Sequence, residues 1–359
     1  MSDEPAFIAS ALLAWYDAHG RSDLPWKHPR DAYRIWVSEI MLQQTQVATV
    51  LPYFERFMER FPDVRALAAA EQDDVLALWT GLGYYARARN LHRAARQVVE
   101  AHGGVFPRTV DELEALPGIG RSTAGAIAAM AFDQHAPILD GNVKRVLARL
   151  FAIDSFTGER QTEKRLWTLA EALTPADRVA DYTQAIMDLG ATLCVRARPE
   201  CVRCPLADRC EAKARGLERQ LPVPRPKREK PERRTRMLIV QAPDGRVLLE
   251  RRPAPGIWGG LWCFPQLDAE EAPAEAHAAE RLALDESGVE HVEEWAEFTH
   301  VFTHFALHIR PVRLRARVLP DNVREADLDW FDPADTAALG LAAPVKRLLG
   351  TLAGDDLLG

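Results

Sequence analysis

The sequence predicts two domains of different class, an all-helical domain followed by a smaller α/β domain. Three observations carry this. The chain has 359 residues, of which 47% are apolar and 27% charged, a core-forming composition at a length beyond one typical domain. Residues 221–234, Leu-Pro-Val-Pro-Arg-Pro-Lys-Arg-Glu-Lys-Pro-Glu-Arg-Arg, hold four prolines, six basic and two acidic residues. Proline at that density excludes helix and sheet interiors, so this segment reads as an extended linker. Across it the pattern changes, from apolar residues recurring at three and four to short β-rich runs.

Before the linker, helical periodicity runs through Arg34–Leu51, Val75–Trp79, Ala86–Glu100, Thr123–Ala131 and Val143–Phe151. A short helix, Val110–Ala115, meets a longer one, Ser122–Ala131, through Leu116-Pro117-Gly118-Ile119-Gly120. Two glycines around an apolar residue permit a tight turn, with Ile119 as its anchor in the core. The turn amides and the following helix N-terminus then make an anion site. An ordinary helix–helix connection has the same pattern. After the linker, Met237–Gln241 and Val247–Arg251 flank Pro243-Asp244-Gly245, a hairpin signal. A helix-prone stretch, Ala272–Leu284, and a strand region, Glu297–Arg317, complete the α/β part.

A net charge of −7 and a pI near 5.9 speak against a nucleic-acid partner when taken for the whole chain. The charge is unevenly distributed. Residues 1–220 carry 27 basic and 29 acidic side chains, whereas residues 235–359 carry 12 and 21. Val75 to Val99 contains no acid but has Arg87, Arg89, Arg93 and Arg96, a pattern shared by solvated helix faces and phosphate contacts. No apolar run approaches the ~18 residues of a membrane span. The N-terminal Met-Ser-Asp-Glu-Pro lacks a signal-peptide pattern, and five cysteines are too few for a disulfide framework, so a reducing, cytoplasmic compartment is expected.

Four cysteines cluster. Cys194, Cys201, Cys204 and Cys210 follow the spacing C-x6-C-x2-C-x5-C, while Cys263 stands alone. Structural zinc more often joins two short cysteine pairs across a longer segment, and one compact loop suits a cubane iron–sulfur cluster. On chemistry alone zinc competes. Two carboxylates also stand out. Asp140, in Leu139-Asp140-Gly141-Asn142-Val143, is a candidate helix N-cap. Glu39 sits amid Ile35-Trp36-Val37-Ser38-Glu39-Ile40-Met41-Leu42, where desolvation would raise its pKa and suit it to general-acid work. Spacing does not show that the two meet.

Taken in order, Ser38-Glu39-Ile40-Met41-Leu42-Gln43-Gln44-Thr45-Gln46-Val47, Gly81-Leu82-Gly83-Tyr84-Tyr85-Ala86-Arg87, Leu116–Thr123, Leu139–Val143 and the cysteine loop resemble the adenine-specific mismatch DNA glycosylases, the MutY family. The resemblance covers essentially the whole chain, with endonuclease III a broader relative. It implies an all-α helix-hairpin-helix glycosylase domain with an iron–sulfur loop over 1–220, its six-helix region at about 30–134 and its iron–sulfur region built from 1–29 and 135–220. After the 221–234 linker, it implies an α/β Nudix (MutT)-like domain over 235–359.

The resemblance also implies roles. The enzyme would flip an adenine mispaired with 8-oxoguanine or guanine out of double-stranded DNA. Glu39 would protonate the base and then help activate water, Asp140 would stabilise the oxocarbenium-like sugar or briefly bond to it, and Asn142 would orient the reacting groups, a two-carboxylate scheme akin to that of glycosidases. Leu24, Trp26, Thr45 and Gln184 match adenine-pocket positions. Gln44 and Tyr84 match residues that wedge into the base stack. Leu116, Gly118, Gly120 and Ser122 match the DNA-binding hairpin. Ser122 stands where endonuclease III-like enzymes carry a lysine that forms a Schiff base, so a monofunctional enzyme is expected rather than a lyase. Cys194, Cys201, Cys204 and Cys210 would hold one [4Fe-4S] cluster. In the second domain, Phe302-Thr303-His304 matches the family's Phe-Ser-His loop for 8-oxoguanine, with threonine in place of serine. Residues 268–288 lack the R-E-x-x-E-E pattern of a Nudix hydrolase, so no pyrophosphatase activity is expected. The expected protein is a bacterial cytoplasmic monomer, associated with the nucleoid through DNA and not with membranes.

Overall fold

A computed structural model describes residues 4–226, 230–254, 256–268, 273–281, 288–318 and 327–354. The helical part contains α1 (Glu4–His19), α2 (Ala32–Leu42), α3 (Val47–Arg60), α4 (Val64–Ala69), α5 (Gln72–Trp79), α6 (Ala86–His102), α7 (Val110–Glu114), α8 (Arg121–Phe132), α9 (Gly141–Leu150), α10 (Arg160–Leu173), α11 (Val179–Thr192) and α12 (Glu211–Ala214). The later part contains β1 (Glu232–Gln241), β2 (Val247–Arg251), β3 (Trp262–Cys263), β4 (Gln266–Asp268), α13 (Ala274–Arg281), β5 (Val289–Glu294), β6 (Phe298–Val301), β7 (Ala306–Ala316), β8 (Leu328–Phe331) and α14 (Ala343–Ala353). The architecture is thus helical and then α/β. Among the described residues no helix is long and apolar enough to cross a membrane.

Two expected elements are corrected. The run read as helical from Arg34 to Leu51 breaks between α2 and α3, because Gln44 takes a left-handed φ of 59°. A non-glycine residue in that region ends helical hydrogen bonding. The segment 221–234 is not linker throughout, since Glu232, Arg233 and Arg234 already belong to β1. They pair in parallel with Ala306, Leu307 and His308 of β7, and that backbone ladder outweighs their charged side chains. The strand region Glu297–Arg317 is a hairpin, β6 antiparallel to β7. The helix-prone stretch Ala272–Leu284 contains α13, while residues 282–287 lie outside the described set.

The chain packs as two units, one formed by Met1–Ala69 with Asn90–Lys227 and the other by Ala70–Arg89 with Arg228–Gly359. In the first, α8 runs buried on nearly every face from Ala124 to Met130. It is clasped by α2, α7 and α11. The close fit shows at Gly125, where a Cβ would come 2.5 Å from the Pro137 carbonyl oxygen. This central helix is therefore small-residue and apolar all round, as a fully enclosed helix must be.

The second unit is a mixed sheet, ordered β3-β2-β1-β7-β5, with β4 on β1, β6 on β7 and β8 on β2. The β1–β2 turn forms at Pro243-Asp244-Gly245, with Gly245 at φ 94° and the Ala242 amide donating to Arg246 O at 2.8 Å. Leu238, Val240, Leu248, Val312, Leu314 and Ala278 form its core. Segment 70–89 belongs to this unit through specific contacts. Arg251 pairs with Asp73 at 2.6 Å, Tyr85 Oη donates to Leu341 O at 2.7 Å, and Leu341 N donates to Thr80 Oγ1 at 3.3 Å.

Candidate active site

In the first unit a cavity of about 770 Å³ gathers residues far apart in sequence. Glu39, Asp140, Asn142, Leu24, Trp26, Thr45, Gln184 and Ser122 all line it. Gln44 does not; it is exposed on the α2–α3 connection at positive φ.

The cavity's chemistry follows from where its carboxylates stand. Glu39 lies near the end of α2, whose neighbours Ile35, Trp36, Val37, Ser38, Ile40 and Met41 are all buried. Burial pushes its carboxyl up to about 8, and the nearby Asp140 adds to the rise. Asp140 caps α9: its Oδ1 accepts from Val143 N at 2.8 Å, and its Oδ2 accepts from Asn142 Nδ2 at 3.1 Å. Burial raises this carboxyl too, opposed by those backbone and side-chain hydrogen bonds and by Arg145. The structure thus brings together two carboxyl groups in unlike surroundings. Burial leads at both, and only at Asp140 do hydrogen-bond donors and Arg145 act against it in favour of the anion. Pairs of this kind divide acid and anion roles between them.

Asn142 is fixed in turn. Arg145 Nη2 donates to Asn142 Oδ1 at 2.8 Å and to Gly190 O at 2.6 Å, while its Nε donates to Cys194 O at 2.7 Å. Gly190 lets α11 approach α9 this closely, since a Cβ there would stand 2.6 Å from Asn142 Cβ. Gly190→Ala is therefore expected to destabilise the protein by about 1–3 kcal/mol, as overpacking does. Thermal unfolding checks this, and an unchanged melting temperature would show that α11 yields freely.

The turn Leu116–Gly120 has the expected form. Leu116 and Ile119 are buried, Gly118 takes φ 79°, and the exposed Gly120 is the N-cap of α8. A Cβ at Gly118 would lie 2.7 Å from Asn90 Cβ, so both conformation and space call for glycine. Just beyond it, Ser122 Oγ accepts from Leu139 N at 2.9 Å, joining the turn to the Asp140 loop.

The four cysteines line one small cavity of about 30 Å³ with Arg149, Lys213 and Glu218. Burial raises the Cys201, Cys204 and Cys210 thiols, and mutual repulsion between the sulfurs raises them further. Sulfurs that repel one another when ionised suit a shared cationic centre. The donor set of four thiols on one loop fits a cluster in which each sulfur binds its own iron.

In the second unit, Tyr84 is exposed at φ 50°, with its Oη 3.2 Å from Thr303 Oγ1. Phe302 stacks on Phe305 at 4.4 Å and meets Trp258 at 5.6 Å, while Thr303 and His304 are exposed on the β6–β7 turn.

Comparison with known proteins identifies the chain's relatives. Residues 37–172 match the HhH-GPD superfamily base excision DNA repair proteins, and residues 236–351 match the NUDIX domain. The chain is 36% identical over 343 residues to the adenine DNA glycosylase of Buchnera aphidicola subsp. Acyrthosiphon pisum (strain APS), covering 95% of this chain and 96% of that protein. The chain belongs to the adenine DNA glycosylase family. The Mus musculus adenine DNA glycosylase is 34% identical over 411 residues, covering 97% of this chain and 78% of that one. A thermostable thymine-DNA glycosylase structure superposes with a TM-score of 0.54 at 28% identity, covering 60% of this chain and 98% of that one. An endonuclease III–DNA complex shares the fold, with a TM-score of 0.51 at 21% identity over 60% of this chain and 98% of that one.

Sequence reasoning had not singled out Arg21, Arg145 or Asp188 in this glycosylase-family chain. Arg21 and Arg145 line the cavity, and Asp188 binds two residues that do. Each lies in a helix or loop whose pattern reads as an ordinary solvated charge, and only the long-range fold gives it a partner.

Proposed function

We propose that this chain is a monofunctional DNA glycosylase that excises adenine mispaired with 8-oxoguanine or guanine, acting in base excision repair. One observation carries the reading. A single cavity holds a carboxyl group pushed up to about 8 beside a second carboxylate held by hydrogen-bond donors. An extrahelical adenine enters between Leu24, Trp26, Thr45 and Gln184. Glu39, protonated at neutral pH, delivers its proton to the base and makes it a leaving group. Asp140, held by Val143 N and Asn142, stabilises the developing positive charge on the sugar until a water adds at C1′ and gives its proton to the Glu39 carboxylate. Ser122 supplies no amine, so no Schiff base forms and the backbone stays intact.

The hairpin amides at Leu116, Gly118 and Gly120 hold a DNA phosphate, and Gln44 and Tyr84 enter the base stack. Phe302, Thr303 and His304 read the 8-oxoguanine. Cys194, Cys201, Cys204 and Cys210 hold one [4Fe-4S] cluster, which supplies a structural cross-link to the loop they define.

The test is single-turnover incubation with a duplex carrying adenine opposite 8-oxoguanine, followed by alkali to reveal abasic sites. Adenine release is expected; no release at any salt concentration would overturn the reading. Thr303→Ala is expected to lower the preference for 8-oxoguanine over guanine about three- to tenfold, the worth of one hydrogen bond. The same assay with both partners checks it.

A further inference from the structure

One end of the cavity is built on a carboxylate. Asp188 of α11 is wholly buried. Its Oδ2 accepts from the Arg21 amide at 2.9 Å, and its Oδ1 accepts from Arg21 Nε at 2.9 Å, Arg21 Nη2 at 2.6 Å and Gln184 Nε2 at 2.8 Å. Arg21 and Gln184 both line the cavity.

These contacts fix a polarity. A side-chain amide has one donating and one accepting end, and an ionised carboxylate only accepts. Gln184 must therefore turn Nε2 toward Asp188. Its Oε1 becomes the free end, and among the described residues no donor engages it. Gln184 thus lines the cavity with its acceptor end unengaged, and Arg21 lines the same cavity. Adenine presents an amino donor at C6 and a ring acceptor at N1. A 6-oxo purine such as hypoxanthine or guanine presents the reverse, an oxygen acceptor and an N–H donor. Against Gln184 Oε1 a 6-oxo group would set two acceptors face to face, leaving both unsatisfied in a partly desolvated site.

We propose that Asp188 is a positioning residue for base selection: by holding Gln184 Nε2, it presents an acceptor to the edge of the extrahelical base and so favours 6-amino over 6-oxo purines. This rests on the glycosylase reading and names the determinant of its specificity. Arg21 has a second part in the arrangement. Were Asp188 absent, the Arg21 guanidinium would draw Gln184 Oε1 to itself and turn Nε2 into the cavity, reversing the polarity.

The experiment compares single-turnover release of adenine, hypoxanthine and unsubstituted purine, each placed opposite 8-oxoguanine. The proteins are the wild type, Asp188→Asn, Asp188→Leu and Gln184→Leu. The quantity read is the adenine-to-hypoxanthine rate ratio relative to wild type, which cancels the intrinsic reactivity of each base. Asp188→Asn should keep the ratio, because its Oδ1 still accepts from Arg21 and Gln184. Asp188→Leu and Gln184→Leu should each lower it at least about tenfold. Equal slowing on all three bases, with the ratio unchanged, would mean that Asp188 only supports the fold and would overturn the proposal. If Asp188→Leu fails to fold, Gln184→Leu decides, since an unchanged ratio there shows that the amide reads nothing. A wild type that releases no base would overturn the glycosylase reading itself, an outcome distinct from an active wild type whose variants keep its ratio.

Discussion

Glu39→Gln is expected to slow adenine release about 10²–10⁴-fold, the usual contribution of a general acid, while leaving duplex binding nearly unchanged. Glutamine keeps the shape and one carbonyl oxygen but has no proton to deliver. Glu39 lines the cavity from α2 and lies off the exposed hairpin and off the exposed Gln44 turn, where the duplex would be gripped. Binding and chemistry should therefore separate. Gel-shift affinity measured beside single-turnover rates checks this, and near-normal excision by the variant would remove Glu39 from the acid role.

The same group sets a pH dependence. With its carboxyl pushed up to about 8, Glu39 holds its proton through neutral pH. The rate of base release should fall as pH rises through about 8, and this alkaline limb should be absent from the residual activity of Glu39→Gln. Stability carries the matching sign. The folded-state pKa lies above a glutamate's ordinary value of 4.5. As pH climbs from 4.5 toward 8 the unfolded chain releases this proton while the folded chain retains it, which shifts the balance toward unfolding. Glutamine has no such linkage. The melting temperature of Glu39→Gln should match wild type near pH 4 and rise above it progressively up to pH 8. A constant difference across that range would contradict burial as the cause of the shift.

How much of this was legible in the sequence depends on the range of the interaction. The hairpin was legible because its chemistry is local: Gly118 adopts φ 79° within the turn itself, and Ile119 buries itself a residue away. The Asp140 cap was legible for the same reason, as it needs only Val143 N three residues on. What escaped was long-range. Glu39 and Asp140 share a cavity across a hundred residues, and no periodicity encodes that meeting. The grip of Arg21 on Asp188 spans 167 positions, and an aspartate in an amphipathic helix reads as solvated until a partner is folded onto it. Segment 70–89 shows the same limit, because its helix was visible while its contacts with Arg251 and Leu341 were not. Charged residues hid the start of β1, whose pairing with β7 rests on backbone rather than on side-chain pattern.

Arg149→Met is expected to have the largest effect on stability, a loss of about 3–5 kcal/mol. Arg149 is 2% exposed, a guanidinium enclosed by the protein. Nε donates to Leu221 O at 2.8 Å; Nη1 donates to Val195 O at 2.8 Å, and to Cys194 O and Cys194 Sγ at 3.2 Å; Nη2 donates to Arg196 O at 3.0 Å. One side chain on α9 thus ties down both the first cysteine of the loop and the chain leaving the helical unit. Methionine fills much of the same volume but donates nothing, so Leu221 O, Val195 O and Arg196 O lose this donor at once, and Cys194 O keeps only Arg145 Nε. Because Cys194 loses two of its anchors, the loop should also retain less iron, and iron content measured beside urea unfolding separates the two effects. Arg149→Lys should fall between, since an ammonium can reach one or two of these oxygens but lacks the planar fork that reaches all of them. A methionine variant within about 1 kcal/mol of wild type would mean that water replaces the guanidinium, and that the loop is held by its cysteines alone.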